Sequence, residues 1–386
     1  MEIRYSHPDE GLFKAINLLK EVGIEEDSRN GPVRRFPEPV MLINTNPVNR
    51  VSLLPARDAN PTFHFVEALW MLAGMNELAP LLPFNSNMQK FSDDGMTLRG
   101  TAYGHKWRKH FGYDQIDLAV KRLRSNPTDR RVVLTMWDPR AEWRDEGSKD
   151  LSCNLQVIFG TREVQGTRYL DMEVTNRSND LVYGCLGSNV FHFSFLLEYM
   201  AFRTGLSVGN YYQVAFNLHG YMENPAFRKV YELPSDHTTW DSHRDLSLSS
   251  VRLDLVREMG LPSAADLENF VRTGNPGSDV YLQAVGVPLV EAYRVFKLAS
   301  NGIKVDKNKR LAFAAEIAEQ CADPALALAA GRWYRRKMEA LVGRASMTLS
   351  ADTRTGSLGV TDMIGMGPEE VRARYTKGQG DSLGDL

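Results

Sequence analysis

Three cysteines in 386 residues are too few for a disulfide framework, and Cys153, Cys185 and Cys321 show no CxxC metal spacing. A disulfide-stapled secreted fold is excluded, no metal site is expected, and a reducing, cytoplasmic setting is. Charge of one sign is also missing. The 46 Lys+Arg against 48 Asp+Glu leave a net charge of −2, with no basic footprint for duplex nucleic acid. A nucleotide monomer remains open, because a few local arginines hold one phosphate. There is no long apolar run either. The most apolar stretch, Val190–Phe202, contains His192, Ser194 and Glu198 and is too short to span a bilayer. The first residues, MEIRYSHPDEG, lack a signal-peptide apolar core, and no internal repeat is visible.

What is present is ordinary in bulk: 43% hydrophobic and 24% charged residues, enough chain for one large domain or two smaller ones. Apolar spacing predicts a helix over residues 9–23, then a turn-rich basic loop with Arg29, Arg34 and Arg35. MLINT reads as a strand, and Phe63–Leu78 as a buried helix carrying Glu67. A carboxylate on an apolar helix is usually paired for structure; a catalytic acid is the sharper reading. Ile116–Arg124 reads as helix, VVLTMW as a strand headed by Arg130-Arg131, and Asp138–Lys149 as a charged loop.

The stretch 150–221 concentrates chemistry. Residues 150–178 read as a hairpin turning at Gln165-Gly166, with Cys153 at the head of its first strand and Arg177-Ser178-Asn179-Asp180 at the end of its second. Gly184 and Gly187 allow close backbone approach, and Val190–Thr204 reads as a core helix. NYYQVAFNLHGY reads as one further strand, with His219 and Tyr221 on one side. Taken singly, a free cysteine is most often a small buried hydrophobe, and a lone histidine structural. From about residue 224 the chain turns rich in Ala, Leu, Glu and Arg. Helices are expected over Ala264–Arg272, Pro288–Ala299, Lys309–Cys321 and Pro324–Val342, before a Gly- and Ser-rich, mobile tail.

In order and spacing, these residues resemble the thymidylate synthase family, including its pyrimidine-nucleotide hydroxymethylase branch. The likeness runs from Arg29 to about residue 224, through Glu67–Trp70, Tyr103–Trp107, Arg130-Arg131, Cys153, Arg177–Asp180, Gly184, Asn189 and His219–Tyr221. It implies an α/β (α+β) fold whose large twisted mixed sheet packs against its twin in a homodimer. It also implies 5,10-methylenetetrahydrofolate as cofactor and a pyrimidine nucleoside monophosphate as substrate. Cys153 would add to carbon 6 as a thiolate, in an arginine-rich pocket that lowers its pKa. Arg29, Arg177 and Ser178 would hold the 5′-phosphate, joined by Arg130 and Arg131 from the partner subunit. His219 and Tyr221 would bind the sugar, Asn189 the base edge, and Asp180 the pterin. Glu67 and Tyr103 would manage water and protons at carbon 5.

Departures from the family pattern set the branch. Where the synthases carry an Ile-Trp pair over the folate, this chain has Met88-Gln89, with Phe91 the nearest aromatic. Loss of the indole would let water reach the exocyclic carbon before hydride does. Asn154 follows the cysteine in place of a usual His, and a helical extension replaces the closing C-terminal peptide. These favour hydroxymethyl transfer over methylation, with dUMP favoured over dCMP because the reader is Asn189 and not Asp. A true thymidylate synthase and a non-catalytic nucleotide or folate binder are the alternatives. The expected organisation is a catalytic domain over 1–224, a helical extension over 225–345 and a tail over 346–386.

Overall fold

The structure is a computed structural model that describes residues 1–143, 147–234, 259–297 and 306–351. Among these described residues ten strands form two sheets. In chain order they are β1 (Glu2–Tyr5), β2 (Ile24–Ser28), β3 (Gly31–Arg35), β4 (Val40–Asn44), β5 (Val132–Thr135), β6 (Asn154–Val164), β7 (Thr167–Asn176), β8 (Asn179–Asp180), β9 (Ser207–Ala215) and β10 (Leu218–Tyr221). The larger sheet runs β1-β4-β9-β7-β6-β5 and the smaller β2-β3-β10-β8. Parallel pairs β1–β4 and β7–β9 sit among antiparallel ones, so the large sheet is mixed.

Local chemistry explains most boundaries. The β6–β7 hairpin turns at Gln165 and Gly166, both at positive φ (49° and 78°), the backbone that matches strand twist in a two-residue loop. The helix carrying Glu67 spans Pro61–Leu72, started by the Asn60 side chain accepting from Phe63 N and by Pro61 in its first turn. It stops earlier than the expected Leu78, because Gly74 takes a left-handed φ of 71° just past its end. The helix Val190–Thr204 matches its expected bounds and ends at Gly205 with φ 73°. It joins β7 to β9 as the crossover that a parallel pair requires.

The helix Val190–Thr204 packs on the large sheet against β7 and β9, and the helix Pro61–Leu72 packs on that helix in turn. Phe65 and Phe195 meet edge-on at 6.3 Å between ring centroids. Below them Val157, Phe159, Leu170, Met172, Val174 and Tyr211 are buried, each excluding apolar surface worth about 1.5–3 kcal/mol on full burial. Inside this core Arg50 pairs with Glu198, the charges compensating one another out of water. The opposite face carries, in register, a row of Ile43, Tyr212, Glu173, Ile158 and Val133. None of its β5–β7 and β9 members is fully buried.

Two expectations need correction. Residues 208–221 are not one strand: the chain breaks after Ala215, and β10 joins the other sheet beside β3 and β8. The strand β1 has no counterpart in the sequence reading. Residues 1–339 form one compact unit. Within it lie the helices Ala264–Thr273, Val287–Lys297 and Lys307–Ala318. Arg272 pairs with Glu77 at 2.9 Å, and the Tyr293 hydroxyl donates to the Phe84 carbonyl at 2.8 Å. The last helix, Pro324–Ala351, continues beyond the expected tail boundary at 346, and the rest of the tail lies outside the described residues. Among the described residues no helix is long and apolar enough to cross a membrane.

Candidate active site

A cleft of about 280 Å³ opens where the two sheets meet the two core helices. Cys153 stands at its floor, one residue before β6. The turn that presents it is built by buried polar groups. Lys106 Nζ donates to Glu142 and, at 2.6 Å, to the Ser152 hydroxyl, while Glu142 accepts from Ser152 N at 2.9 Å. Asp150 gathers the backbone N–H groups of Arg99, Gly100 and Thr101 at 2.5–2.9 Å. Charges buried in this way hold only when fully partnered, so the network fixes one geometry for the cysteine.

The Tyr103 hydroxyl accepts from Cys153 N at 3.2 Å and Asn154 N at 3.3 Å, which leaves its own proton for the cleft. Burial, with Cys153 adding, pushes the phenol well above its ordinary pKa, so it stays a donor. Arg177 Nε donates to Ser152 O at 2.8 Å, and its Nη2 lies 3.8 Å from Cys153 Sγ. The expected depressed thiol is corrected here. Burial dominates and raises the Cys153 pKa, while Arg177 and more weakly Arg29 pull against it, and Asp150 and Glu142 add to the rise.

Asp180 and His219 are in register across β8 and β10. Asp180 Oδ1 caps Val182 N and Tyr183 N at 3.0 and 2.5 Å, whereas its Oδ2 is buried with no hydrogen-bond partner. Burial raises the carboxyl pKa against the bonds from the chain and the His219 charge. Burial lowers that of His219, with Asp180 opposing. Asn217 Oδ1 lies 3.0 Å from His219 Nδ1, which as donor would leave Nε2 as an acceptor. The His219 and Tyr221 rings meet edge-on at 4.9 Å.

Four asparagines from distant positions converge. Asn154 Oδ1 accepts from Asn176 Nδ2 and from Asn189 Nδ2, the latter at 3.5 Å. Asn179 Oδ1 accepts from Asn189 Nδ2 at 3.3 Å. The amide of Asn189 is thereby oriented before any base arrives.

Of the residues expected from sequence, Cys153, Glu67, Tyr103, Asp180, Ser178, Asn189, His219, Tyr221, Gly184 and Met88 line the cleft. Arg177 flanks its sulfur, and Arg29 sits in the β2–β3 turn beside Asn30, whose Nδ2 reaches Tyr221 Oη at 3.5 Å. Gln89 does not line the cleft, and Phe91 is 53% exposed, so neither replaces an indole. Arg130 and Arg131 are exposed at the far end of β5, where Arg131 pairs with Asp129. The β5–β6 register puts them about seven residues along the strand from Cys153, roughly 23 Å at strand rise. Sequence reading did not single out His192, Asn179 or Asn154 as cleft residues. His192 carries a signal: it follows Asn189 by three, and so shares its helix face.

Comparison with known proteins places these features together. The thymidylate synthase family model matches residues 17–248, more than half of the chain. The chain is 37% identical over 349 residues to the deoxyuridylate hydroxymethyltransferase of Pseudomonas phage M6, covering 89% of this chain and 96% of that protein. It is also 37% identical over 196 residues to the protein of the same name from Bacillus phage SP01, covering 48% and 50%. Among solved structures, thymidylate synthase from T4 phage aligns with a TM-score of 0.47 and 23% identity, over 56% of this chain and 78% of that one.

Proposed function

The chain belongs to the thymidylate synthase family, and we propose that it transfers a hydroxymethyl group to carbon 5 of dUMP. The observation that carries this reading is the likeness to the phage M6 deoxyuridylate hydroxymethyltransferase along 96% of that protein. The chain is thus a one-carbon transferase, and phage-type chemistry on uracil is favoured over the dCMP alternative.

The residues present suit a folate. Asp180 offers a buried carboxylate oxygen without a partner to the cleft, which fits a pterin N–H group. Met88 and Gly184 would form the surface against which a flat ring lies. When bound, 5,10-methylenetetrahydrofolate supplies the one-carbon unit.

This chain's groups would do the rest. Cys153 would add to carbon 6 of the uracil ring, moving electron density to carbon 5. Because burial holds the thiol protonated, its activation would depend on Arg177, whose guanidinium lies 3.8 Å from the sulfur. Arg29, Arg177 and Ser178 would hold the 5′-phosphate, His219 and Tyr221 the sugar, and Asn189 the O4 and N3–H edge of uracil. Tyr103 and Glu67 would handle protons and water near carbon 5.

The same reading proposes a homodimer. The sheet face with Tyr212, Glu173, Ile158 and Val133 in one row, none of them fully buried, suits a second copy. Arg130 and Arg131 lie too far from Cys153 to serve their own cleft, but a partner's cleft would receive them.

The test is a product assay by mass spectrometry with methylenetetrahydrofolate and, separately, dUMP or dCMP. A gain of CH2O on dUMP is expected. A gain of CH2 with dihydrofolate formed would make the chain a thymidylate synthase, and product on dCMP alone would overturn the base assignment.

A further inference from the structure

Glu67 and His192 form a contact that the reading above leaves without a role. Glu67 Oε2 and His192 Nε2 lie 3.1 Å apart, on side chains 12% and 5% exposed. Both atoms are buried, and among the described residues neither makes a hydrogen bond, so the 3.1 Å approach is a close contact whose alignment is not yet that of a hydrogen bond. The two residues come from different helices, and both line the cleft. Around the His192 ring stand Phe191 and His64, the latter one turn before Glu67 with its ring centroid 6.2 Å away. Burial, then the Arg57 charge and His192, pull the His64 pKa well below the usual imidazole range, so it faces His192 as a neutral ring. Glu67 is therefore the anionic partner that His192 has on this side of the cleft.

We propose that His192 is a positioning residue for the water that completes hydroxymethylation, acting through Glu67. This inference rests on the dUMP hydroxymethylase reading. From its place 3.1 Å away, His192 Nε2–H would turn to donate to Glu67 Oε2, fixing the carboxylate and leaving its second oxygen to receive a proton. An imidazole beside the carboxylate would hold one oxygen in place while the other faces the water. In the step itself, the water oxygen bonds to the exocyclic carbon attached at carbon 5. The electron pair of the exocyclic double bond moves into the ring as an enolate on O4, and the water's proton passes to Glu67. Collapse of the enolate re-forms the carbon 5–carbon 6 double bond and breaks the bond from carbon 6 to sulfur, so that Cys153 leaves as thiolate. Water supplies the oxygen, and the step needs neither oxidant nor reductant.

Two substitutions separate this role from simple packing. His192→Asn is polar but too short to reach Glu67 from the Nε2 position, whereas His192→Gln restores a donor near that point. In the full chain, three readouts are taken with dUMP: hydroxymethyl product, exchange of the carbon 5 hydrogen for solvent deuterium without folate, and nucleotide bound to Cys153 after rapid denaturation. His192→Asn is expected to lower kcat for product by about 10²-fold, the usual scale of an acid–base contribution, with little change in KM. Folate-free exchange should persist, and a nucleotide adduct on Cys153 should accumulate during turnover. His192→Gln should regain part of the lost rate. Unchanged kcat in both variants would overturn the proposal. So would a parallel fall of exchange and product without adduct, which marks a structural residue. Failure of the unsubstituted protein to exchange carbon 5 or form product would instead overturn the dUMP reading beneath it.

Discussion

Gly184 lines the cleft, and its replacement by alanine has a consequence that can be worked from distances. A Cβ at this position would lie 2.2 Å from Asn179 Oδ1 and 3.9 Å from Asn189 Nδ2. No real side chain tolerates the first contact, so Asn179 must move. It is 4% exposed, and among the described residues its Nδ2 has no hydrogen-bond partner, so the displaced amide moves within a buried site. Overpacking of this kind costs about 1–3 kcal/mol. Loss of the 3.3 Å bond from Asn189 to Asn179 adds about 1 kcal/mol, for a total of about 2–4 kcal/mol. The same movement releases the amide proposed to read uracil. One neutral hydrogen bond misaimed corresponds to roughly fivefold in kcat/KM for dUMP. Thermal unfolding and steady-state kinetics of Gly184→Ala measure the two effects. A Gly184→Ala protein with the melting temperature and kcat/KM of its parent would refute the reasoning.

Three other outcomes follow from the same geometry. Removing the guanidinium in Arg177→Gln leaves burial less opposed, so the Cys153 pKa rises further. Iodoacetamide should then modify Cys153 more slowly at pH 7, with the rate–pH curve displaced to the alkaline side; an unchanged curve would contradict the assigned cause. Lys106→Met strands the buried Glu142 carboxylate and should destabilise the protein by about 3–5 kcal/mol in denaturant titration. A loss below about 1 kcal/mol, the scale of an exposed pair, would mean the network does not anchor the Cys153 turn. Asn189→Asp replaces an amide that both donates and accepts with an acceptor, and should shift preference toward dCMP in competition assays. Retained uracil preference would move the reading to another group.

The sequence carried a good deal of this. Helix periods at 9–23 and 190–204 and the hairpin at Gln165-Gly166 are local properties, written by apolar spacing and turn chemistry within a few residues. Many of the residues lining the cleft, Cys153, Glu67, Asp180, His219 and Tyr221 among them, were also legible, because their order along the chain carries the family resemblance. What was not legible depends on partners far away in sequence. NYYQVAFNLHGY has strand pattern throughout, and only pairing with β3 and β8 decides that its end leaves for a second sheet. The thiol's pKa turned on how deeply Cys153 is buried, a quantity no motif contains, so the arginines beside it lost to desolvation. The amide cluster needs positions 154, 176, 179 and 189 brought within hydrogen-bond reach, and the Glu67–His192 contact needs two helices packed face to face. Sequence by itself determined which chemical groups this protein possesses and where most of its helices and its central hairpin lie. Tertiary packing alone decided which of those groups touch, and how much water remains between them.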